Sequence, residues 1–422
     1  MPNAISSGQL VGPRRVVVTG AGILTSMGLG WRQNADGFRE GRLAFREVTL
    51  FDTSRQRVHH AGETLLPPDL PPSSLTKRQR HRIDRASALL VHAAAEAWEQ
   101  SGWPDLPGEG KKKIPLILGT SAGAMALGEA YYRQASTLPV QRRGQAVRVH
   151  QYQIQSQAML VVTALGIGGP VSIISNACAS GANAIGHAFG QIASGRADRA
   201  LAGGYDALSQ LVFAGFDSLQ ALSASAPRPF DAARDGLALG EGAALVALES
   251  LEAAWSRGAE ILAEVRGYGA ATDVHHLTQP HPEGDAALCS MTRACAMAGL
   301  RPRDIDYVNS HGTGTPLNDV AEAHAIRRWC DADGCDPRRI AVSSTKASIG
   351  HLLGGAGAVE AVICLMALRE GFLPPTTTVR EPDPAVCFDL VRAPRQTPVQ
   401  NALTNSFGFG GANATLVFQR WN

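Results

Sequence analysis

The chain has 422 residues, 45% of them hydrophobic, enough to bury a large core but too many for one ordinary domain unless it is duplicated. A formal charge of +2 excludes binding to nucleic acid or anionic lipid by net charge alone, so any electrostatic partner must be met locally. Seven cysteines, an odd number scattered singly, do not form the framework of a small disulfide-stapled domain, and a reducing compartment, the cytoplasm, is expected.

In chain order, "MPNAISSGQLVGPRR" lacks a charged stretch followed by an apolar one, and no apolar run approaches the roughly 20 residues that span a bilayer. A soluble protein is expected. Strand signals follow: "RVVVTG" at 15–20, "IPLILGT" at 114–120, "PVSIIS" at 170–175 and "AALVALES" at 243–250, each apolar on both faces, as in strands buried between helix layers. Between them "ASALLVHAAAEAWEQSG" from 86 reads as a helix ending at Gly102. "VVVTGAGILTS" places Gly20 and Gly22 as a G-x-G start, but Thr25 stands at the third glycine and the dinucleotide fingerprint fails.

A second set comprises "ILAEVRGYG" at 261, "IDYVNSHG" at 305, "IAVSSTK" at 340 and "ATLVFQRW" at 414. Its helices are "EGDAALCSMTRACAMAGL" and "GGAGAVEAVICLMALREG". The repeated order β, α, β, α, β predicts two related halves, residues 1–255 and 256–422, with the boundary in "EAAWSRGAE" at 252–260. In each half a strand leads into a small-residue loop that opens an Ala/Gly-rich helix. That loop carries Cys178 in the first half and His351 in the second.

A cysteine at a helix start feels the partial positive charge of free N–H groups, which favours its thiolate; the plain alternative is a buried structural thiol. "NSHGTGTPLND" at 309–319 puts His311 at a strand end before a glycine and threonine loop, with Thr313 and Thr315 spaced to share a side. "SSTKASIGHLLGGAGAVEA" at 343–361 supplies Lys346, His351 and Glu360, and a buried lysine requires a charge partner such as Glu360. "TNSFGFGGANAT" at 404–415 alternates aromatics and glycines, either a loop donating N–H groups to an oxyanion or a tight turn between strands. Cys330 and Cys335 form one C-x₄-C pair, too few ligands for a metal, and read as surface thiols.

One cysteine, two histidines and an aromatic-glycine loop are far more specific together than singly. The set resembles the β-ketoacyl-acyl carrier protein synthases of the elongating Cys-His-His class in the thiolase superfamily. The resemblance runs along nearly the whole chain: "RRVVVTGAG", "NACASGANAIGHA", "RPFDAARDGLALGEGAALVALE", "HGTGTPLND", "STKASIGHLLGGAGAVEA" and "NSFGFGGANA". It implies an α/β thiolase-like fold, two βαβαβ halves packed as five layers αβαβα. It also implies decarboxylative Claisen condensation of a Cys178-bound acyl group with malonyl-acyl carrier protein.

By resemblance, His311 and His351 stabilise the enolate, Lys346 and Glu360 form a supporting ion pair, and Phe409 is both gate and, with Cys178, oxyanion-hole donor. Thr278, Thr313 and Thr315 line the pantetheine tunnel, and Phe216 and Phe407 join the substrate-binding set. Lys77, Arg78 and Arg80, in "TKRQRHR", match the surface that docks an acidic acyl carrier protein; the plain alternative is a solvated helix face. No cofactor or metal, and no nucleic-acid or membrane partner, is expected; a homodimer or a heterodimer with a related subunit is.

Two departures bear on the acyl group. Ala122, in "GTSAGAM", replaces a bulky aliphatic and is expected to enlarge the acyl pocket. Gln151, Gln153, Gln155 and Gln157 replace an apolar stretch, which suggests an interface network or a polar pocket wall. Two rivals remain: a non-catalytic chain-length-factor-like partner subunit would lack the nucleophile, and a thiolase would carry a cysteine in "NSFGFGGAN".

Overall fold

The computed structural model describes residues 12–137 and 146–422. Along the chain the elements that build the site are β1 (Val16–Thr25), α1 (Arg85–Gln100), β2 (Leu116–Gly119), α2 (Ile154–Leu165), β3 (Val171–Ile174), α3 (Ser180–Ala193), β4 (Arg199–Asp206), α4 (Gln210–Ser218) and β5 (Gly242–Ser250). The sequence then starts again. It gives β6 (Ala263–Thr272), α5 (Asp285–Ala298), β7 (Tyr307–Asn309), α6 (Pro316–Asp331), β8 (Ala341–Ser343), α7 (Ala356–Glu370), β9 (Asp389–Leu390), β10 (Asn401–Phe407) and β11 (Ala412–Arg420).

Strand order exposes the repeat. The first set runs β3-β2-β4-β5-β1 and the second β8-β7-β10-β11-β6, with β9 added outside β8. In both, the three strands at the β3 or β8 side pair in parallel and the remaining pairs are antiparallel. β1 and β6 join the two sets antiparallel through Val16–Val18 and Ala263–Val265. The fold is thiolase-like, five layers αβαβα: α3 and α7 lie in the middle, α1 and α2 cover one outer face, and α5 and α6 cover the other.

Composition explains the layers. Every residue of α7 from Ala356 to Leu368 is buried, which suits a helix sandwiched between sheets and explains why its sequence shows no polar face. α3 is nearly as buried, and its glycines let it approach α7 closely: a Cβ on Gly181 would stand 2.9 Å from the backbone nitrogen of Ala358. α1 begins where the Asp84 carboxylate accepts the Ser87 N–H at 3.0 Å and stops before Gly102, whose φ of 69° is left-handed.

Two sequence expectations, on β3 and on Cys330, need correction. β3 is not buried on both faces, because it is the edge strand, and Val171 is exposed. In "TNSFGFGGANAT" the tight-turn reading holds, with more strand than the sequence suggested: β10 runs through Phe407 and β11 starts at Ala412, leaving a turn of four residues between them. Cys330 is fully buried in an apolar cluster beneath α5 and α6 rather than at the surface, since its position on α6 faces Trp329 and Ile326's core; Cys335 is half-buried. The segment 252–260 forms the end of a short helix, Leu251–Ser256, and the turn after it. Among the described residues no helix is long and apolar enough to cross a membrane.

Candidate active site

The repeat places the reactive groups. Cys178 lies between β3 and α3, and His351 lies between β8 and α7, equivalent junctions of the two sets. His311 follows β7. All three line one cavity of about 380 Å³, together with Phe216, Thr278, Thr313, Thr315, Phe407 and Phe409. Several loops from different parts of the chain thus build one chamber.

The thiol sits on a strained turn. Ala177 has φ 56°, and of the four non-glycine residues with positive φ among the described residues the others are Gln220 in the cavity wall, Phe230 against the His311 loop, and Leu353 beside His351. Such residues cost about 1–3 kcal/mol each and persist only where surrounding bonds over-determine them. Here the bonds are visible: Ser180 Oγ donates to the Ala177 carbonyl at 2.6 Å, and Ser121 Oγ donates to the same oxygen at 2.9 Å.

Helix-start placement was expected to favour the Cys178 thiolate, but burial outweighs it. The thiol is pushed up to about 12, with Lys346 and the Phe409 N–H pulling it down and Asp206 opposing them. The resting group is therefore a thiol. The Phe409 N–H points at the sulfur from the turn after β10, and a Cβ on Gly408 would stand 3.0 Å from the Cys178 nitrogen. Only glycine at 408 lets the two N–H groups converge on one small volume, the geometry an oxyanion requires.

The imidazoles of His311 and His351 meet edge to face, with centroids 5.3 Å apart. Burial holds both well below the ordinary histidine range, with Lys346 adding to the effect on each, so both are neutral. Nδ1 of His351 accepts the Leu353 N–H at 3.0 Å, which puts its proton on Nε2. His311 is held through its backbone: Glu322 on α6 accepts the N–H groups of His311 and Gly312, each at 2.8 Å, and takes a third bond from Asn405 at 3.1 Å. Asp319, one turn earlier, accepts from Thr313, Gly314 and Phe230. Burial lifts Glu322 to about 7 despite these donors.

Glu322 and Asp319 were not singled out from sequence. Their signal was available, as two carboxylates spaced i, i+3 on the helix that follows "HGTGT", facing back toward its N–H groups. Lys346 and Glu360 form a buried ion pair, each about 2% exposed, that borders the histidines without lining the cavity. Burial raises the Glu360 carboxyl even beside the ammonium.

The cavity wall carries the remaining expectations unevenly. Thr313 and Thr315 point the same way, their hydroxyls 2.9 Å apart, and Thr278 sits exposed at the mouth beside His276. Phe409 stacks on Phe216 at 6.0 Å, and Phe407 packs 5.4 Å from His311. Ala122 does not reach the chamber; it is buried in the apolar cluster of Leu208, Phe213 and Phe216 behind it. Lys77 and Arg78 are exposed, whereas Arg80 is turned inward and donates to Pro71 O at 3.1 Å and Ser73 Oγ at 2.9 Å, anchoring its own loop.

None of the four glutamines lines the chamber. Gln157 is fully buried, donating to Gln151 O at 2.7 Å and accepting from the Tyr205 hydroxyl at 2.9 Å. Gln151 reaches Arg82 O at 3.1 Å, and Gln155 bonds Gln153 at the surface. They fasten the turn into α2.

Comparison with known proteins agrees with this arrangement. The description "Beta-ketoacyl synthase, N-terminal domain" matches residues 13–254 and "Beta-ketoacyl synthase, C-terminal domain" matches 262–380. The chain is 37% identical to 3-oxoacyl-[acyl-carrier-protein] synthase 2 of Synechocystis over 420 residues, 97% of this chain and 98% of that one. It is 38% identical to nodulation protein E of Rhizobium meliloti over 412 residues, covering 96% and 99%. Among solved structures, the ishigamide ketosynthase/chain length factor superposes with a TM-score of 0.89 at 32% identity, covering 97% of this chain and all of that one. A cysteine and two neutral histidines that converge on one cavity from strand ends of a duplicated thiolase-like fold, matched along its length in this way, place the chain in the β-ketoacyl synthase family.

Proposed function

We propose that the chain elongates acyl groups on acyl carrier protein by decarboxylative condensation, with the roles divided as follows. The Cys178 sulfur attacks the thioester of an acyl-carrier protein; the acyl–sulfur bond to the carrier breaks, the carrier leaves as its thiol, and the Cys178 proton passes to it. A malonyl-carrier protein then occupies the chamber. Its carboxylate leaves as carbon dioxide, and the electron pair becomes an enolate whose oxygen faces His311 and His351.

The enolate carbon attacks the Cys178 thioester. The N–H groups of Cys178 and Phe409 receive the oxyanion, the sulfur is expelled as a thiolate and takes a proton from water, and a β-ketoacyl-carrier product departs. Neutral imidazoles suit this work: an N–H aimed at a developing oxyanion stabilises it without needing an excess proton, and a buried chamber strengthens the bond. Lys346 and Glu360 set the local potential. Phe409, stacked on Phe216, gates the acyl side from the malonyl side, while Thr278, Thr313 and Thr315 meet the amides of the pantetheine arm.

The observation that carries the reading is the convergence of Cys178 and His351, from equivalent loops of the two sets, and of His311, from the loop after β7, on one cavity. The repeat of strand order supports two halves divided near residues 252–260. The reaction needs no resident cofactor, since its substrates arrive on the carrier's phosphopantetheine. Lys77 and Arg78 are the cations offered to an acidic carrier protein; the inward Arg80 supports their helix. The open edge of β3 suits pairing with a second subunit, a copy of this chain or a related ketosynthase-like one. Seven free cysteines suit the reducing cytoplasm. The test is product formation: acyl- and malonyl-carrier proteins together should yield β-ketoacyl-carrier protein and one carbon dioxide per condensation, and absence of both refutes the proposal.

A further inference from the structure

The mechanism above leaves a fully buried carboxylate, that of Asp206, unused. Asp206 ends β4, is 0% exposed, and has no cation among its bonded partners. Its carboxylate instead accepts five groups from two loops. Thr120 Oγ1 donates at 2.6 Å and the N–H groups of Ser121, Ala122 and Gly123 donate at 3.0, 2.8 and 2.7 Å, all from the loop after β2; the Gly354 N–H donates at 2.6 Å from the loop between β8 and α7. Charge without a counterion survives burial only when N–H dipoles converge on it, as they do here.

Each loop then bonds onward to one catalytic group. Ser121, held by its N–H, donates its hydroxyl to the Ala177 carbonyl at 2.9 Å, one residue before Cys178. Gly354 follows Leu353, whose N–H fixes Nδ1 of His351. Ala177 and Leu353 are both in the left-handed region, at φ 56° and 51°, so both turns need outside support to hold their shape. The loops are also in direct contact, since a Cβ on Gly354 would stand 2.5 Å from the Ser121 nitrogen. Asp206 is the shared anchor.

We propose that Asp206 is a positioning residue: it ties the nucleophile turn of the first half to the His351 loop of the second, and so sets Cys178 and His351 in register for both half-reactions. The proposal rests on the condensing function above. In Asp206→Asn one acceptor becomes an NH₂ facing a backbone N–H, and the shared anchor is lost with almost no change of volume.

The test measures two half-reactions separately on the full chain: acylation of Cys178 by acyl-carrier protein and decarboxylation of malonyl-carrier protein. Asp206→Asn is expected to slow both by about tenfold or more while KM for either carrier changes by less than about twofold. Thr120→Val, which leaves the carboxylate four N–H donors, should keep both rates within about threefold. Should Asp206→Asn fail to fold, Asp206→Glu, which keeps both oxygens but displaces the loops, must show the same paired loss.

Alkylation by iodoacetamide separates this proposal from the proposed function. Removing the Asp206 charge leaves Lys346, Glu360 and the two neutral histidines around the thiol, so Cys178 in Asp206→Asn should alkylate faster at pH 8 even while its carrier-dependent acylation slows. A rate loss confined to one half-reaction, a change in KM alone, or alkylation no faster than in the parent chain overturns the positioning role. A parent chain that alkylates at Cys178 yet performs neither half-reaction overturns the proposed function instead.

Discussion

The Leu353 N–H donates to Nδ1 of His351 at 3.0 Å, which leaves that imidazole a single donor, Nε2–H, for the cavity. Burial and the Lys346 charge hold both His351 and His311 below the ordinary value of 6.5. As pH falls below about 6.5 the unfolded chain takes up protons that the folded chain does not, so the contribution these groups make to stability is present above that pH and lost as pH falls. Two measurements check this. Nitrogen chemical shifts of His311 and His351 should remain those of neutral rings at pH 6, and malonyl decarboxylation should show no histidine ionisation between pH 6 and 7.5. An imidazolium signal from either ring at pH 6 contradicts it.

Lys346 and Glu360 act on the Cys178 thiol with opposite signs, the ammonium lowering its pKa and the carboxylate raising it. Lys346→Met should therefore slow iodoacetamide alkylation of Cys178 at pH 8, and Glu360→Gln should speed it, each by roughly three- to tenfold, or about 1 kcal/mol. Both variants lose condensing activity, because each leaves its partner buried and unpaired. Changes of the same sign in alkylation would show that packing rather than charge links the pair to the thiol.

Gly408→Ala tests the oxyanion hole. The added Cβ meets the Cys178 nitrogen at 3.0 Å and must push it or the Phe409 N–H aside. Condensation should fall about 10²-fold. Decarboxylation, which depends on the histidines, should fall far less. Equal losses in the two would place the Gly408 turn outside the condensation step.

Ala122 sits behind the chamber against Phe213 and Phe216 rather than in its wall. Ala122→Ile should force Phe216 toward the acyl side, at an overpacking cost of about 1–3 kcal/mol, and selectively slow acylation by long chains. Acylation rates across chain lengths decide this: a uniform loss would mean that residue 122 supports the site without shaping the acyl pocket.

How much of this was legible in the sequence depends on what each residue needs. Cys178, His311 and His351 stood out because reactive side chains in small-residue loops at strand ends are unusual, and because the order of strands and helices repeats around them. β10 was missed because the Phe and Gly residues that follow it drew its last residues into the reading of a loop or tight turn. Glu322, Asp319 and Asp206 were missed for a different reason. A carboxylate that accepts backbone N–H groups from distant loops leaves no periodic signature, and its partners are fixed only once the two sets of strands have folded and their loops meet. The resting state of Cys178 was also hidden, since helix-start placement is visible in sequence but the desolvation that overrides it at this half-buried thiol is not.

The central claim is that Cys178 carries the acyl group. The most direct measurement is the intact mass of the protein after incubation with acyl-carrier protein in the absence of malonyl-carrier protein. One acyl mass should be added, located at Cys178 by peptide mapping, removed when malonyl-carrier protein is supplied, and absent from Cys178→Ala. A Cys178→Ala chain that still becomes acylated, or an acyl group that maps to another cysteine, would contradict the account.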